Sequence, residues 1–212
     1  MMSNYFKWVL QLVLAIGLSS ANAGAYVDFF RAVPIDNVST VSELLQRGFD
    51  PNSRDERGQT ALYLAMREGA DKCVQLLLAH PQLAPDLLNP AGESALMMAA
   101  LRGRTDWMSR LLDRGAAVDQ SGWTALHYAA SGAQPQTVAW LLARGAKVDA
   151  RAPNGSTPLM MAARYGAEPA VDLLLAGGAD VNLRNALDLS AADFARQGGR
   201  ELLAKRLAGL QR

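Results

Sequence analysis

An alanine recurs through this chain at a near-constant interval: Ala32, Ala65, Ala99, Ala129, Ala162 and Ala195 lie 33, 34, 30, 33 and 33 residues apart. Around four of them the neighbouring residues repeat too, as Gly58-Gln59-Thr60-Ala61-Leu62, Gly92-Glu93-Ser94-Ala95-Leu96, Gly122-Trp123-Thr124-Ala125-Leu126 and Gly155-Ser156-Thr157-Pro158-Leu159. Self-similarity at a period of about 33 residues marks a solenoid, whose units stack along one axis instead of folding around one centre. Such an array offers a long surface and no enclosed pocket, which points toward binding and away from chemistry.

One unit shows how the pattern folds. Thr157-Pro158 opens a helix, with a hydroxyl at the cap and proline at the first helical position. Leu159, Ala162 and Ala163 share one helical face, and Gly166 ends the segment. A second helix carries Val171, Leu174 and Leu175 on its apolar stripe and stops at Gly177-Gly178. Ala179-Asp180-Val181-Asn182 then leads into a polar stretch suited to an extended hairpin. Leucine pairs close the second helices of five units, at Leu44-Leu45, Leu77-Leu78, Leu111-Leu112, Leu141-Leu142 and Leu174-Leu175. The recurring alanine marks a close helix crossing, where a larger side chain would push two helices apart.

The chain resembles the ankyrin-repeat family. The family's Thr-Pro-Leu-His-x-Ala-Ala stretch reads here as Thr124-Ala125-Leu126-His127-Tyr128-Ala129-Ala130 and Thr157-Pro158-Leu159-Met160-Met161-Ala162-Ala163. Its Gly-Ala-x-Val-Asn/Asp turn reads as Gly115-Ala116-Ala117-Val118-Asp119, Gly145-Ala146-Lys147-Val148-Asp149 and Gly178-Ala179-Asp180-Val181-Asn182. The resemblance implies an all-α solenoid of six helix-turn-helix units with projecting hairpin loops. Those units start near residues 25, 58, 92, 122, 155 and 188, and together they fill residues 24–212. The first and last are degenerate, as expected of caps that face solvent on one side. Between Gly92 and Gly122 a unit is three residues short, and the loss falls in Asp119-Gln120-Ser121 of the hairpin. The row of hairpins is therefore expected to carry a notch.

Residues 1–23 read as a secretory signal peptide: Lys7 in the n-region, an apolar run from Trp8 to Leu18, and a small-x-small site at Ala21-Asn22-Ala23. Cleavage there would start the mature chain at Gly24. An uncleaved anchor is the alternative, but an eleven-residue helix reaches only ~17 Å against a hydrocarbon core of roughly 30 Å. No stable membrane insertion is expected after cleavage. The formal charge is +1, and Lys7 is the one charged side chain among the first 23 residues, so the mature chain carries a formal charge of zero. A near-neutral chain has no overall field to attract nucleic acid, and none is expected as a partner. Cys73 is the single cysteine, so no intramolecular disulfide can form. Its place in a second helix suits a packed side chain.

The residues that could carry chemistry are few. His80 and His127 are the only histidines, and no pair of histidines or cysteines has metal-ligand spacing, so neither cofactor nor metal is expected. The resemblance gives His127 a structural role, hydrogen-bonding the backbone of the neighbouring hairpin. Gly198-Gly199-Arg200 before a helix is a weak candidate anion cradle, because the repeat already accounts for glycine there. Asp50, Asp55, Asp119, Asp149 and Asp180 recur with the period and read as turn formers.

Trp123 differs. Its equivalents are Gln59, Glu93, Ser156 and Leu189, so the fold does not demand tryptophan there. In the family this position resembles those that face a partner; filling the gap left by the short hairpin is the alternative. The ends of the first helices form a second variable set, Arg67-Glu68, Leu101-Arg102, Ser131-Gly132, Arg164-Tyr165 and Gln197-Gly198. Arginine and tryptophan are favoured anchors of protein interfaces. The expectation is a noncatalytic, monomeric module that binds a protein partner through a concave groove bearing Arg67, Arg102, Trp123, Arg164 and Tyr165, together with the hairpin fingers. Its expected compartment is the periplasm. The alternatives are an accessory or regulatory role toward a periplasmic enzyme, and secretion as an effector on host proteins.

Overall fold

The structure, a computed structural model, describes residues 20–211, so most of the expected signal peptide lies outside the described residues. Among the described residues twelve helices follow one another in six pairs: α1 (Ser20–Ala32) with α2 (Val38–Gln46), α3 (Ala61–Glu68) with α4 (Asp71–Ala79), and α5 (Ala95–Leu101) with α6 (Thr105–Asp113). Then come α7 (Ala125–Ser131) with α8 (Pro135–Leu142), α9 (Pro158–Tyr165) with α10 (Glu168–Ala176), and α11 (Ala191–Gln197) with α12 (Glu201–Leu210). From α3 to α11 each first helix packs on the next first helix, which makes the array a solenoid. The expected cleavage point after Ala23 falls inside α1, so a chain starting at Gly24 would keep Gly24–Ala32 of that helix.

The six recurring alanines are all buried, each on a first helix. Their small side chains let neighbouring first helices approach. In the leucine pairs the first member is always buried, as Leu44, Leu77, Leu111, Leu141 and Leu174. Leu112, Leu142 and Leu175 are only half-buried against the core. Hydroxyl caps begin five of the six first helices. The Thr60, Ser94, Thr157 and Ser190 side chains accept the N–H three residues on, and Thr124 joins His127 in a capping box.

The loops between pairs form turned-back hairpins closed by a backbone bond over four residues. The N–H of Asp55, Asn89, Ala152 and Asn185 donates to the carbonyl of Gln59, Glu93, Ser156 and Leu189 respectively. The shortened loop lacks this closure, with no bond from Asp119 to Trp123. At the turn that Gly58, Gly92, Gly122 and Gly155 make with positive φ, the last unit places Asp188 at φ 59°. Aspartate tolerates this left-handed conformation better than most residues, so the degenerate unit keeps the turn without the glycine.

A ladder of side chains ties each hairpin base to the next. Asn52 accepts from the N–H of Ala84 at 2.8 Å, Asp86 from Ala117 at 3.0 Å, Asp119 from Lys147 at 3.1 Å and Asp149 from Asp180 at 3.1 Å. Asp119 keeps its rung, so the missing residues lie beyond it, toward Gly122. The short hairpin is therefore anchored at its base and unclosed at its tip.

Candidate functional site

The five residues singled out by the sequence fall into two groups. Arg67 lies in the last turn of α3, with Nε 2.7 Å from Glu68 Oε1 and a terminal nitrogen 3.0 Å from Gln59 Oε1. Arg102 follows α5 and donates to the backbone carbonyl of Arg67 at 2.7 Å. Its guanidinium thus satisfies an orphan carbonyl at the end of the preceding first helix. Arg164 sits three turns of the array away from that pair's start, on α9, donating to Gln197 Oε1 at 2.6 Å and lying 5.0 Å from the Tyr165 ring centroid. No hydrogen bond or ring contact joins the Arg67–Arg102 group to the Arg164–Tyr165 group.

The arginines are therefore engaged with their own protein, while the aromatics are freer. Tyr165 is 57% exposed, and its hydroxyl bonds to no described residue. Trp123 is half-buried, packed edge-on against His127 at 5.3 Å and Tyr128 at 6.4 Å between ring centroids. Its indole N–H has no acceptor among the described residues. The ring thus covers part of the unit with the unclosed hairpin and still presents a free donor.

Beside Trp123 lies a cluster that the sequence did not reveal. Glu93, just before α5, accepts three side-chain hydrogen bonds: Tyr63 Oη to Oε2 at 2.7 Å, Asn89 Nδ2 to Oε2 at 2.8 Å, and Tyr128 Oη to Oε1 at 2.6 Å. Tyr63 belongs to α3 and Tyr128 to α7, so one carboxylate joins three successive units. Partial burial favours the neutral acid, but the hydrogen bonds from Tyr128, Tyr63 and Asn89 outweigh it and hold the Glu93 carboxyl below its ordinary range. Burial and the Glu93 bond push the Tyr63 hydroxyl up to about 12, and they raise Tyr128 as well. The available signal was that Tyr63 stands where other units carry Met97, His127 and Met160.

His127 is fully buried and bridges two units. Its Nδ1 accepts from the N–H of Thr124 at 3.2 Å, and its Nε2 lies 3.0 Å from the carbonyl of Ser156 in the next hairpin. These partners assign the proton to Nε2, which donates to the carbonyl. Burial lowers its pKa and keeps the ring neutral.

The remaining candidates are structural. Cys73 is buried, its N–H bonded to Asp36 at 2.8 Å, and burial pushes its thiol up to about 12. Arg200 donates to the carbonyls of Ala162, Ala163 and Gly166, so its guanidinium caps the end of α9 rather than waiting for an anion. Gly166 packs so close that an added Cβ would lie 2.1 Å from the Ala130 carbonyl oxygen, a steric reason for glycine there. Trp107 is buried and donates to Asp71 at 3.1 Å across the second helices, while Trp140 is half-buried with Arg144 stacked at 3.6 Å. Among the described residues no cluster of histidine, cysteine, aspartate or glutamate could hold a metal, and no helix is long and apolar enough to cross a membrane.

Comparison with known proteins fits this architecture. The family model described as ankyrin repeats (3 copies) matches residues 29–117, 81–152, 117–185 and 137–207. The nuclear factor NF-kappa-B p105 subunit of Gallus gallus is 35% identical over 161 residues, which is 73% of this chain and 16% of the relative. The B-cell lymphoma 3 protein homolog of Mus musculus is 34% identical over 149 residues, 67% of this chain and 33% of the relative. The chain thus spans a third or less of these curated relatives. Among solved structures, one chain of the complex between the Bd0816 predatory endopeptidase from Bdellovibrio bacteriovorus and immunity protein Bd3460 superposes with a TM-score of 0.70 at 29% identity, covering 87% of this chain and 98% of that one. The human ASB11 ankyrin repeat domain gives a TM-score of 0.68 at 29% identity, over 83% and 80% of the two chains. Such repeats are protein–protein interaction modules and typically noncatalytic. On the extent of the match and the helix-pair architecture together, the chain belongs to the ankyrin-repeat family.

Proposed function

We propose that this chain is a noncatalytic, monomeric module that binds one partner protein through the concave groove lined by its first helices and through the adjoining hairpins. The observation that supports this reading is the state of two aromatics: the Trp123 indole N–H has no acceptor among the described residues, and Tyr165 is 57% exposed with the Arg164 guanidinium 5.0 Å from its ring. Rigid aromatic surface with a polar tip suits an interface anchor. Arg67, Arg102 and Arg164 then act as a pre-ordered rim, since their side chains have less freedom left to lose on binding.

The chain is read as exported, with cleavage after Ala23 and action in the periplasm. The likeness to one chain of an endopeptidase–immunity protein complex, over 98% of that chain, favours an accessory role in which the partner is an exported enzyme held in check or protected. The test is to recover the partner from cells with tagged wild-type protein and to measure its affinity for Trp123→Ala. A loss of about thirtyfold, the scale of a ~2 kcal/mol hot spot, is expected. Unchanged affinity in a folded variant would move the interface off this position.

A further inference from the structure

The short hairpin around Gly122 differs from the others in its backbone hydrogen bonds. In the other hairpins the N–H of Gly58, Gly92, Gly155 and Asp188 donates to the carbonyl three residues earlier. The next N–H, at Gln59, Glu93, Ser156 and Leu189, donates to an aspartate or asparagine side chain of the same turn. The corresponding N–H groups of Gly122 and Trp123 have no acceptor among the described residues, nor have those of Val118, Asp119, Gln120 and Ser121. The three missing residues explain this: Asp119 stays at the hairpin base, its carboxylate bonded to the Lys147 N–H, and no residue is left to close the tip.

The other hairpins are also fastened to one another at their tips. Arg54 donates to the Leu88 carbonyl at 2.7 Å, which joins the Gly58 and Gly92 hairpins. Arg151 donates to the Arg184 carbonyl at 2.8 Å, and the Ala186 N–H to the Asn154 carbonyl at 2.9 Å, which join the Gly155 and Asp188 hairpins. Packing follows the same division. A Cβ added at Gly58 would lie 2.6 Å from Pro90 and one at Gly155 3.1 Å from the Ala186 nitrogen, whereas at Gly92, next in line before the short hairpin, it would meet nothing within 4 Å. The row is thus two tip-linked pairs with an unfastened hairpin between them. Side chains alone hold residues 120–123: Gln120 Nε2 donates to Asp86 Oδ1 at 3.0 Å, and the Trp123 ring lies edge-on to the fully buried His127, 5.3 Å between centroids. A segment with few backbone bonds and little buried surface opens at low free energy while the rest stays folded.

We propose that residues 120–123 form a lid that opens and closes with the helix array intact, carrying Trp123 off and onto His127. Opening breaks the Gln120 bond and the Trp123 contact but no backbone hydrogen bond of the segment. The row of hairpins then has one adjustable position between two fixed pairs. This goes beyond the groove reading and stands without it, because the opening belongs to the free chain.

The test is NMR of the 15N-labelled protein, wild type against a graft in which residues 119–122 are replaced by a copy of residues 149–155. The graft restores the missing length and the residue whose N–H closes the Gly155 hairpin. In the wild type, relaxation dispersion should detect μs–ms exchange at Ser121, Gly122, Trp123 and the Trp123 indole N–H, and none at Gly92, Glu93, Gly155 and Ser156. Protection of the His127 ring N–H against solvent exchange should be at least about tenfold lower than that of the Leu126 and Ala129 amides, which open with the array. The graft should abolish the dispersion and raise His127 protection to the level of those amides. Flat dispersion at residues 121–123, dispersion spread evenly over all the hairpins, or wild-type His127 protection equal to that of the α7 amides would each overturn the proposal. A folded graft that leaves the dispersion unchanged would overturn it too. If the graft fails to fold, the wild-type contrast between this hairpin and its neighbours decides alone.

Discussion

Tyr128 Oη donates to Glu93 Oε1 at 2.6 Å across 35 residues of sequence, tying the fourth unit back to the third. Tyr63 reaches the same carboxylate from the second unit, at 2.7 Å. Three units that would otherwise touch only their neighbours thus share one polar centre. In a solenoid, where stability is a sum of units and interfaces, such a centre couples interfaces that sequence treats as separate.

This coupling should depend on pH at both ends. The Glu93 carboxyl is held below its ordinary 4.5, so its contribution is complete above that value and is lost as pH falls through the folded value. Tyr63 is raised from 10.0 to about 12, so its contribution is complete below 10 and is lost as pH rises toward 12. Urea midpoints of wild type and Glu93→Gln should therefore differ most between about pH 5 and 10 and converge in acid. A difference that does not change with pH would remove the charged carboxylate from the account.

His127 supplies a second link between units. His127→Ala should cost about 2 kcal/mol or more, through the lost bridge to the Ser156 carbonyl and the space left behind. Because burial lowers its pKa below 6.5, the neutral ring stabilises the fold fully above pH 6.5, and that stabilisation declines as pH falls through the lowered value. Equilibrium unfolding of the variant at pH 7.5 and pH 5 checks both statements; a smaller gap from wild type is expected at pH 5.

The helix crossings give a packing test. Ala129→Leu should destabilise by roughly 1–3 kcal/mol through overpacking on α7. Ala117→Leu should cost much less, since that side chain is exposed and only its backbone bonds to Asp86. Coincident denaturant midpoints would mean that the first helices do not approach closely at this alanine.

Export gives a covalent test. The intact mass of protein from its native host should correspond to a start at Gly24, retaining Gly24–Ala32 of α1. A chain starting at Met1 and pelleting with membranes would contradict cleavage.

The helix pairs and the buried alanines were legible because each is repeated along the chain, and the bridging role of His127 because the family resemblance implied it. A residue type that recurs in phase reports an environment that recurs in phase. The Glu93 cluster breaks that logic. It exists once, and its partners lie 30 and 35 residues away on different helices, so no single unit contains it. Arg102 donates to the carbonyl of Arg67, and a backbone acceptor leaves no mark in the residue pattern. Trp123 is likewise a single case, with Gln59, Glu93, Ser156 and Leu189 at the equivalent places. Its edge packs on His127 beside the unclosed hairpin, and its N–H stays free.

The first-helix face is proposed to hold the partner. Its most direct test is photocrosslinking in intact native cells from a photoreactive residue placed singly at positions 123, 165 and 205, the last on exposed Lys205 of α12. Positions 123 and 165 are expected to capture the same protein, and position 205 is expected not to. Capture from 205 alone, or different proteins at 123 and 165, would contradict that placement.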